Sequence, residues 1–139
     1  NLQLRSAGGH IHIGYPVDEL DGIRLIRMMD LYIGVPSVVL DEDVQRRQLY
    51  GRAGAFRPTS YGVEYRVPSN FWLRNSKSIR WIYRQTHRAI NKVVELKSKS
   101  QLDRFMRLDS LKHKIQETIN SSNTQLAQVL IKHHNLELV

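Results

Sequence analysis

The chain reads RSAGGHIHIG at residues 5–14 and YGVEYR at residues 61–66, and polar and apolar side chains alternate in both stretches. Because successive side chains of a β-strand point to opposite faces of the sheet, we expect His10 and His12 to share one face. Ile11 and its apolar neighbours then lie on the other face. The first stretch is therefore predicted to be a strand with one polar face and one core face.

The second stretch repeats this arrangement with charged residues. Glu64 and Arg66 are two positions apart and share a face, whereas Val63 and Tyr65 lie behind them. Two strands that each direct ionisable groups to one surface are typical of a lined site rather than of a packed core. The glycine pair at residues 8–9, just before the histidines, indicates a bulge or a close approach by a ligand or by backbone.

The composition is ordinary for a globular domain. The 139 residues suffice for one domain or for part of a larger one. The chain has no cysteine, which excludes disulfides and thiolate sites. No apolar run approaches the ~18 residues of a membrane span, and no signal peptide is visible. We therefore expect a cytoplasmic protein without a membrane partner.

The net charge of +8 is spread unevenly. Residues 1–75 hold nine arginines, no lysine and eight acids, a net charge of +1, whereas residues 76–139 hold twelve basic residues and five acids, a net charge of +7. Arginine presents a rigid fork that binds carboxylate or phosphate through two hydrogen bonds. The arginines of the first half therefore favour recognition of such anions.

Hydrophobic periodicity predicts the elements of the first half. We expect a strand over residues 2–14 and a helix from about residue 18 to about residue 33, ended by the Gly-Val-Pro sequence at residues 34–36. A short helix is expected to follow the acids at residues 41–43, with Arg46 and Arg47 on an exposed or ion-paired turn.

Residues 50–61 read as a loop, because they contain two glycines and a proline. This loop carries Arg52 and Arg57, and a second strand is predicted over residues 62–67. Three helices are predicted in the second half, at about residues 76–97, 108–119 and 123–134. We expect residues 1–75 to be the motif-bearing sheet part, and residues 76–139 the helical part, of one domain.

These motifs together resemble the signature of the phage-type amidoligases, the carboxylate–amine ligases of type 2. The resemblance rests on the first stretch, on LYGRAGAFRP at residues 49–58 and on YGVEYRVPSNFW at residues 61–72. The family is similar in fold to glutamine synthetase and the glutamate–cysteine ligases. The resemblance thus implies an α+β fold, in which an antiparallel sheet forms an open funnel backed by helices, with a helical C-terminal segment.

The resemblance also implies a use of ATP with Mg²⁺ or Mn²⁺. In glutamine-synthetase-like sites, the first histidine of a His-x-His strand binds the metal, and the second lies near the nucleotide. These roles fall on His10 and His12 respectively. The glutamate of a Glu-x-Arg strand binds the same metal, which implies that Glu64 is the second metal ligand.

Three arginines receive roles from the same resemblance. The arginine of the Glu-x-Arg strand contacts the transferred phosphoryl group, which implies a catalytic and nucleotide-binding role for Arg66. By a looser analogy, Arg52 and Arg57 would bind phosphate or carboxylate groups, with Arg52 also holding the nucleotide.

One part of the family pattern has no counterpart in this sequence. In these folds most metal-binding carboxylates come from strands before the His-x-His strand, and this chain begins almost at that motif. Mg²⁺ needs several oxygen ligands in near-octahedral geometry. We therefore expect that the chain lacks the N-terminal strands, and that another chain or segment completes the sheet and the ligand set.

The same residues also have plainer interpretations. The two histidines could be hydrogen-bonded sheet residues, and Glu64 and Arg66 could form a structural cross-strand pair. The arginines of the 50–61 loop could simply anchor that loop. Arg5 is as compatible with an ordinary charge at a strand end as with the site.

Two functional hypotheses follow. The first is an ATP-dependent carboxylate–amine ligase, or its C-terminal catalytic half, which forms an amide or peptide-like bond through an acyl phosphate. The second is a non-catalytic, processed or degenerate ligase-fold protein with a structural or binding role in a phage assembly. Its basic helical tail would then meet nucleic acid or another acidic surface through phosphate contacts. A phage-encoded chain would act in the host cytoplasm, with the virion as the alternative location.

Overall fold

The computed structural model describes residues 7–16 and 21–139 and shows an α+β fold. Within the described residues, one antiparallel sheet has the strand order β1-β3-β2, with β1 at Ile11–Gly14, β2 at Phe56–Thr59 and β3 at Gly62–Tyr65. Helices make up most of the remaining chain. The predicted fold class, the antiparallel sheet and the helical C-terminal segment are confirmed.

The central strand β3 pairs with β1 along one edge and with β2 along the other. The register places Glu64 opposite His12 on β1 and opposite Arg57 on β2. On the other face of β3, Val63 and Tyr65 are buried against the helices. The alternation read from the sequence is confirmed within both strands, but the strands are shorter than predicted: residues 7–10 lie outside β1, and β3 ends at Tyr65 rather than at residue 67. The predicted strand residues 2–6 lie outside the described residues.

The strand β2 lies inside the segment that we predicted as a loop. Pro58 interrupts its hydrophobic pattern, which is why the sequence indicates a loop there. Proline lacks the N–H group, but an edge strand tolerates it, because one side of the strand has no partner. Pairing with β3 supplies the stabilisation that local propensity does not. The loop prediction is therefore wrong for residues 56–59.

The first helical run is longer than predicted. Helix α1, Gly22–Met29, begins at Asp21, whose side chain caps it, and a π-helical turn at Asp30–Gly34 joins it to helix α2, Val35–Leu40. Pro36 lies in the first turn of α2, where a proline is well tolerated because the first N–H groups of a helix need no partner within it. The predicted helix end at residues 34–36 is therefore wrong.

The remaining helices enclose the core from the side opposite the polar sheet face. They are α3 Val44–Leu49, α4 Ser76–Glu95, α5 Lys99–Arg107, α6 Leu111–Asn120 and α7 Thr124–His133. Helix α1 packs against α4, and α2 packs against α6 and α7. Helix α5 was not predicted. None of the described helices is both long and apolar enough to cross a bilayer.

Arg46 and Arg47 lie on helix α3 and are buried, each about 3% exposed, so of the expected exposed or ion-paired turn the exposed alternative is wrong, whereas the ion pair is present for Arg47. Arg47 Nη1 donates to the carbonyl oxygen of Asp41 at 2.8 Å, and Arg47 Nε donates to Ser122 Oγ at 2.9 Å. The Asp41 carboxylate lies 3.9 Å from Arg47 Nη1. Arg47 therefore fastens α3 to the turn between α6 and α7.

A buried carboxyl group links the helices to the core face of the sheet. The Tyr65 hydroxyl donates to Asp30 Oδ1 at 2.7 Å, and the backbone N–H of Gly54 also donates to the Asp30 carboxyl. Burial raises the pKa of Asp30 from 3.8 to about 7, although these two hydrogen bonds oppose the shift. Asp30 thus ties the π-helical turn to β3 and to the loop before β2.

The raised pKa of Asp30 predicts a pH dependence of stability. Because Asp30 binds its proton more tightly in the folded chain, its contribution to the free energy of unfolding falls as the pH rises through the window from 3.8 to about 7. Relative to Asp30→Asn, the wild type should lose roughly 2 to 3 kcal/mol between about pH 5 and about pH 8. Urea denaturation at each pH measures this difference.

Glu117→Gln, on the exposed face of α6, is the matched control and should follow the wild-type profile. Parallel profiles for the wild type and Asp30→Asn across this range would contradict the raised pKa.

Candidate functional site

The polar face of the sheet carries a compact cluster of ionisable side chains. The cluster, called the Glu64 face below, consists of His10, His12, Arg57, Glu64 and Arg66. Its middle row is fixed by strand register, because side chains directly opposite each other on neighbouring strands lie about 4.5–5.5 Å apart at Cβ. His10 and Arg66 extend the cluster, because each lies two residues from a member of that row along its own chain segment.

The Glu64 carboxylate contacts every other member of the cluster. Oε1 lies 2.9 Å from His10 Nδ1 and 3.4 Å from Arg66 Nε. Oε2 accepts a hydrogen bond from Arg57 Nη2 at 2.5 Å and lies 3.9 Å from His12 Nε2. Both carboxylate oxygens are therefore engaged, and the cations converge on one acid.

The acid is covered, whereas the cations reach solvent. The Glu64 side chain is 3% exposed, while the side chains of Arg57 and Arg66 are 61% and 45% exposed. Two guanidinium groups thus stand over one carboxylate, so the surface that a ligand meets is positive. Such a surface attracts phosphate and carboxylate groups.

The protonation states follow from these contacts. Burial by itself raises the pKa of Glu64, but the hydrogen bond and charge of Arg57, with the charges of the two histidines, lower it below its ordinary value. Burial lowers the pKa of His10, and the charges of Arg66 and Arg46 lower it further, against the opposing effect of Glu64. The site at neutral pH therefore holds an ionised Glu64 and a neutral His10.

Backbone packing fixes the position of His10. Gly9 N donates to the carbonyl oxygen of Pro68 at 3.0 Å, and Trp72 Nε1 donates to the carbonyl oxygen of Gly9 at 3.1 Å. A Cβ atom on Gly9 would collide with the carbonyl oxygen of Ser69 and with Trp72 Nε1. The close approach that the glycine pair predicted is therefore present, and the approaching group is backbone and indole.

Tyr61 orients His12. The Tyr61 hydroxyl shares a hydrogen bond with His12 Nδ1, and the two rings stack with their centroids 6.0 Å apart. Because Nδ1 is engaged in this way, Nε2 is the ring nitrogen that faces Glu64. Tyr61 thus sets which nitrogen of His12 is presented to the site.

The buried side chain of Arg46 holds the backbone at Arg66 in place. Arg46 Nη1 donates to the carbonyl oxygen of Val67 at 2.6 Å, and Arg46 Nη2 donates to that of Arg66 at 3.2 Å. These bonds hold the chain immediately after β3, where an extended strand would otherwise end without partners. Arg46 therefore anchors the backbone that carries Arg66, and it adds positive charge behind the site.

The other two arginines considered from the sequence do not join the cluster. Arg52 is exposed in the loop before β2, and the described part of the chain offers its side chain no hydrogen bond or ion pair. Its carbonyl oxygen accepts a hydrogen bond from Ala55 N at 3.1 Å, which closes a turn of that loop. Arg5 lies outside the described residues.

Sequence reasoning missed Tyr61, Trp72 and Arg46 as supports of the site. Tyr61 lies beside the site because the pairing of β1 with β3 continues past the strands, where Tyr15 N donates to the Tyr61 carbonyl oxygen at 2.8 Å; this pairing of distant segments gives no local signal in the sequence. Arg46 gave no such signal, because its role depends on how α3 packs against the chain after β3.

The Glu64 face does not by itself fit a magnesium site. Mg²⁺ requires near-octahedral coordination, mainly by oxygen, and Glu64 is the single carboxylate of this cluster. Both of its oxygens are already paired with cationic or imidazole groups. Across residues 7–16 and 21–139, no group of three or more His, Cys, Asp or Glu residues is arranged to hold a metal ion. The metal-ligand roles of His10 and Glu64 stay predictions.

Comparison with known proteins gives one match. The model of the family described as "Phage phiEco32-like COOH.NH2 ligase-type 2" matches residues 2–137, which is nearly the whole chain. No curated protein and no solved structure was found to match.

The packing around Gly9 makes a stability prediction. Gly9→Ala should reduce the free energy of unfolding by roughly 1 to 3 kcal/mol, because the new methyl group has to displace backbone or the Trp72 ring. Gly14→Ala, at the end of β1, is the matched control, since a Cβ there would lie 3.6 Å from the nearest atom, the carbonyl oxygen of Tyr61. Urea denaturation compares the two variants, and equal stability would contradict this account of how His10 is held.

Proposed function

Because the chain belongs to the family of phage phiEco32-like COOH-NH2 ligases of type 2, we propose that it is an ATP-dependent carboxylate–amine ligase, or the part of one that carries the Glu64 face. In this reaction a carboxylate oxygen of the first substrate attacks the γ-phosphorus of ATP, and ADP leaves. The amine of the second substrate then attacks the carbonyl carbon of the acyl phosphate. Phosphate leaves as the amide bond forms and the nitrogen loses a proton.

The observation that carries the proposal is the covered carboxylate beneath two exposed guanidinium groups. Phosphoryl transfer asks a protein mainly for positioning and for neutralisation of the oxygen charges. Glu64 contributes the positioning, because its contacts with Arg57 and Arg66 restrict both side chains before a ligand arrives. The outer nitrogen atoms of these arginines are then free to bind phosphoryl oxygens.

The three arginines take distinct places in this scheme. Arg57 contacts Glu64 from β2 and Arg66 contacts it from the residue just after β3, so together they can hold the transferred phosphoryl group from two sides. Arg52 projects from the loop before β2, where it would bind another phosphate or the substrate carboxylate. Its exposure and lack of an ion pair to the described residues support this role over that of a loop anchor.

The proposal also gives a role to each of the two histidines. His12 is half-exposed and held by Tyr61, which suits a group that contacts the nucleotide. His10, neutral at ordinary pH, is suited to donate or accept a hydrogen bond without adding charge. If His10 and Glu64 do bind Mg²⁺ or Mn²⁺, further oxygen ligands must come from elsewhere.

Nucleotide binding tests the first half of the proposal. Arg57→Gln or Arg66→Gln should weaken binding of Mg·ATP at least about tenfold, because a charge-assisted hydrogen bond contributes roughly 1.5 to 3 kcal/mol. Glu64→Ala should also reduce affinity, since it releases both arginines from their fixed positions. Isothermal calorimetry on the 139-residue chain measures these changes.

Arg80→Gln, an exposed arginine near the start of α4, is the control and should bind as the wild type does. Undiminished affinity in both Glu64-face arginine variants would contradict the proposal. An absence of binding by the unsubstituted chain would mean that a further segment is needed to complete the site, or that the chain has the non-catalytic role.

ATP turnover in the complete protein tests the chemical steps of the proposal. His10→Ala and Glu64→Ala should abolish ATP turnover that depends on added acid and amine while the chain stays folded. Hydroxylamine supplied in place of the amine should trap the acyl phosphate as a hydroxamate. Full activity in both variants would remove these roles, and ADP release without hydroxamate would argue against the acyl phosphate.

A further inference from the structure

A cavity lies on the opposite side of the sheet from the Glu64 face. It has a volume of about 180 Å³ and is bounded by α1, α5, α6 and the start of β2. Its lining combines an apolar wall with three charged side chains: Ile26, Phe56, Met106 and Ile115, with Asp30, Arg27 and Lys112. A space of this size holds several water molecules and has room for a short aliphatic chain.

Asp30 forms the buried end of this cavity. It is 3% exposed and lines the cavity together with Gly54. Its partners among the described residues are the neutral donors Tyr65 and the Gly54 N–H, and neither carries a positive charge. Burial without a cation nearby is what raises the pKa of this carboxyl group to about 7. A cationic ligand group would supply the missing partner.

The outer part of the cavity has the opposite charge. Arg27 is half-buried on α1, one helical turn before Asp30, and Lys112 is exposed on α6. Within the described residues the Arg27 guanidinium has no hydrogen bond and no ion pair within 4 Å; its charge helps to lower the pKa of Asp103, whose carboxylate already accepts two hydrogen bonds from Arg24. A partly buried guanidinium without such a partner is an efficient binding group for a carboxylate.

We propose that this cavity binds a short ω-amino carboxylate. The ligand's ammonium group donates to Asp30, its methylene chain lies along Phe56 and Ile115, and its carboxylate is held by Arg27 and Lys112. An alkyl carboxylate would leave Asp30 without a cation, and an alkylamine would leave Arg27 without an anion. The order of charges along the cavity therefore selects a ligand that carries both groups at opposite ends of an apolar chain.

The proposed site is separate from the ligase chemistry. Glu64 and Tyr65 are consecutive residues of β3, so their side chains point to opposite faces of the sheet. A ligand that contacts Asp30 therefore lies beyond the sheet from the Glu64 face. The inference does not depend on the proposed function, and it would hold for a chain without ligase activity.

The test uses 6-aminohexanoate as the probe, with hexanoate and hexylamine as matched controls that each lack one charge. Titrations of the ¹⁵N-labelled chain at about pH 7.5 should show saturable amide shifts at Gly54, Phe56 and Ile115 with 6-aminohexanoate. Each control should bind at least about tenfold more weakly, because each leaves one charged group unpaired. Equal binding of hexanoate, or no shift at these amides with 6-aminohexanoate, would overturn the proposal.

Two variants test which residue binds the carboxylate of the ligand and which binds its ammonium group. Arg27→Gln removes the guanidinium without placing a second acid beside Asp103, and it should weaken 6-aminohexanoate at least about tenfold while hexylamine binding is kept. Asp30→Asn should remove the preference for 6-aminohexanoate over hexanoate. Arg80→Gln, on the exposed face of α4, should leave the titration unchanged. Wild-type binding in Arg27→Gln would overturn the proposal even if Asp30→Asn does not fold.

Discussion

The buried carboxylate of Glu64 is the interaction on which the polar side of this molecule depends. An acid taken out of water is stable only if cations and hydrogen-bond donors replace the lost hydration. Here the replacement comes from Arg57 on β2, from His10 just before β1 and from Arg66 just after β3. The strands are short, so the convergence of these side chains on one charge adds to the register that backbone pairing and the buried face specify. It also holds the arginines in place above the acid.

The sequence alone was sufficient for the features that depend on local periodicity. The alternation of His10 and His12 with isoleucines, and of Glu64 and Arg66 with apolar residues, requires only that each segment be extended. The long amphipathic pattern of α4 and its Asn75 cap are similarly local. These motifs carry the resemblance to the ligase family, and the family model matches residues 2–137. Local patterns in the sequence were therefore enough to reveal the family.

The features that sequence reasoning missed depend on contacts between distant segments. Strand β2 exists because β3 offers it a partner, although Pro58 argues against a strand locally. The π-helical turn allows the chain to pass Gly34 and Pro36 without ending the helical run, and nothing in the residue order marks the change of helical register. Arg46 was misread because a basic residue in a polar turn is usually solvated. Its burial becomes favourable only when two carbonyl groups from beyond β3 accept its hydrogen bonds.

Consecutive placement of Glu64 and Tyr65 on one strand has a thermodynamic consequence. The two residues share a peptide unit, and each is the polar anchor of a different face. A ligand that displaces the backbone at Glu64 also displaces it at Tyr65, whose hydroxyl holds Asp30. Any coupling between ligands on the two faces is reciprocal, so each changes the affinity of the other by the same factor. The peptide unit between Glu64 and Tyr65 is thus the shortest covalent link between the two polar clusters.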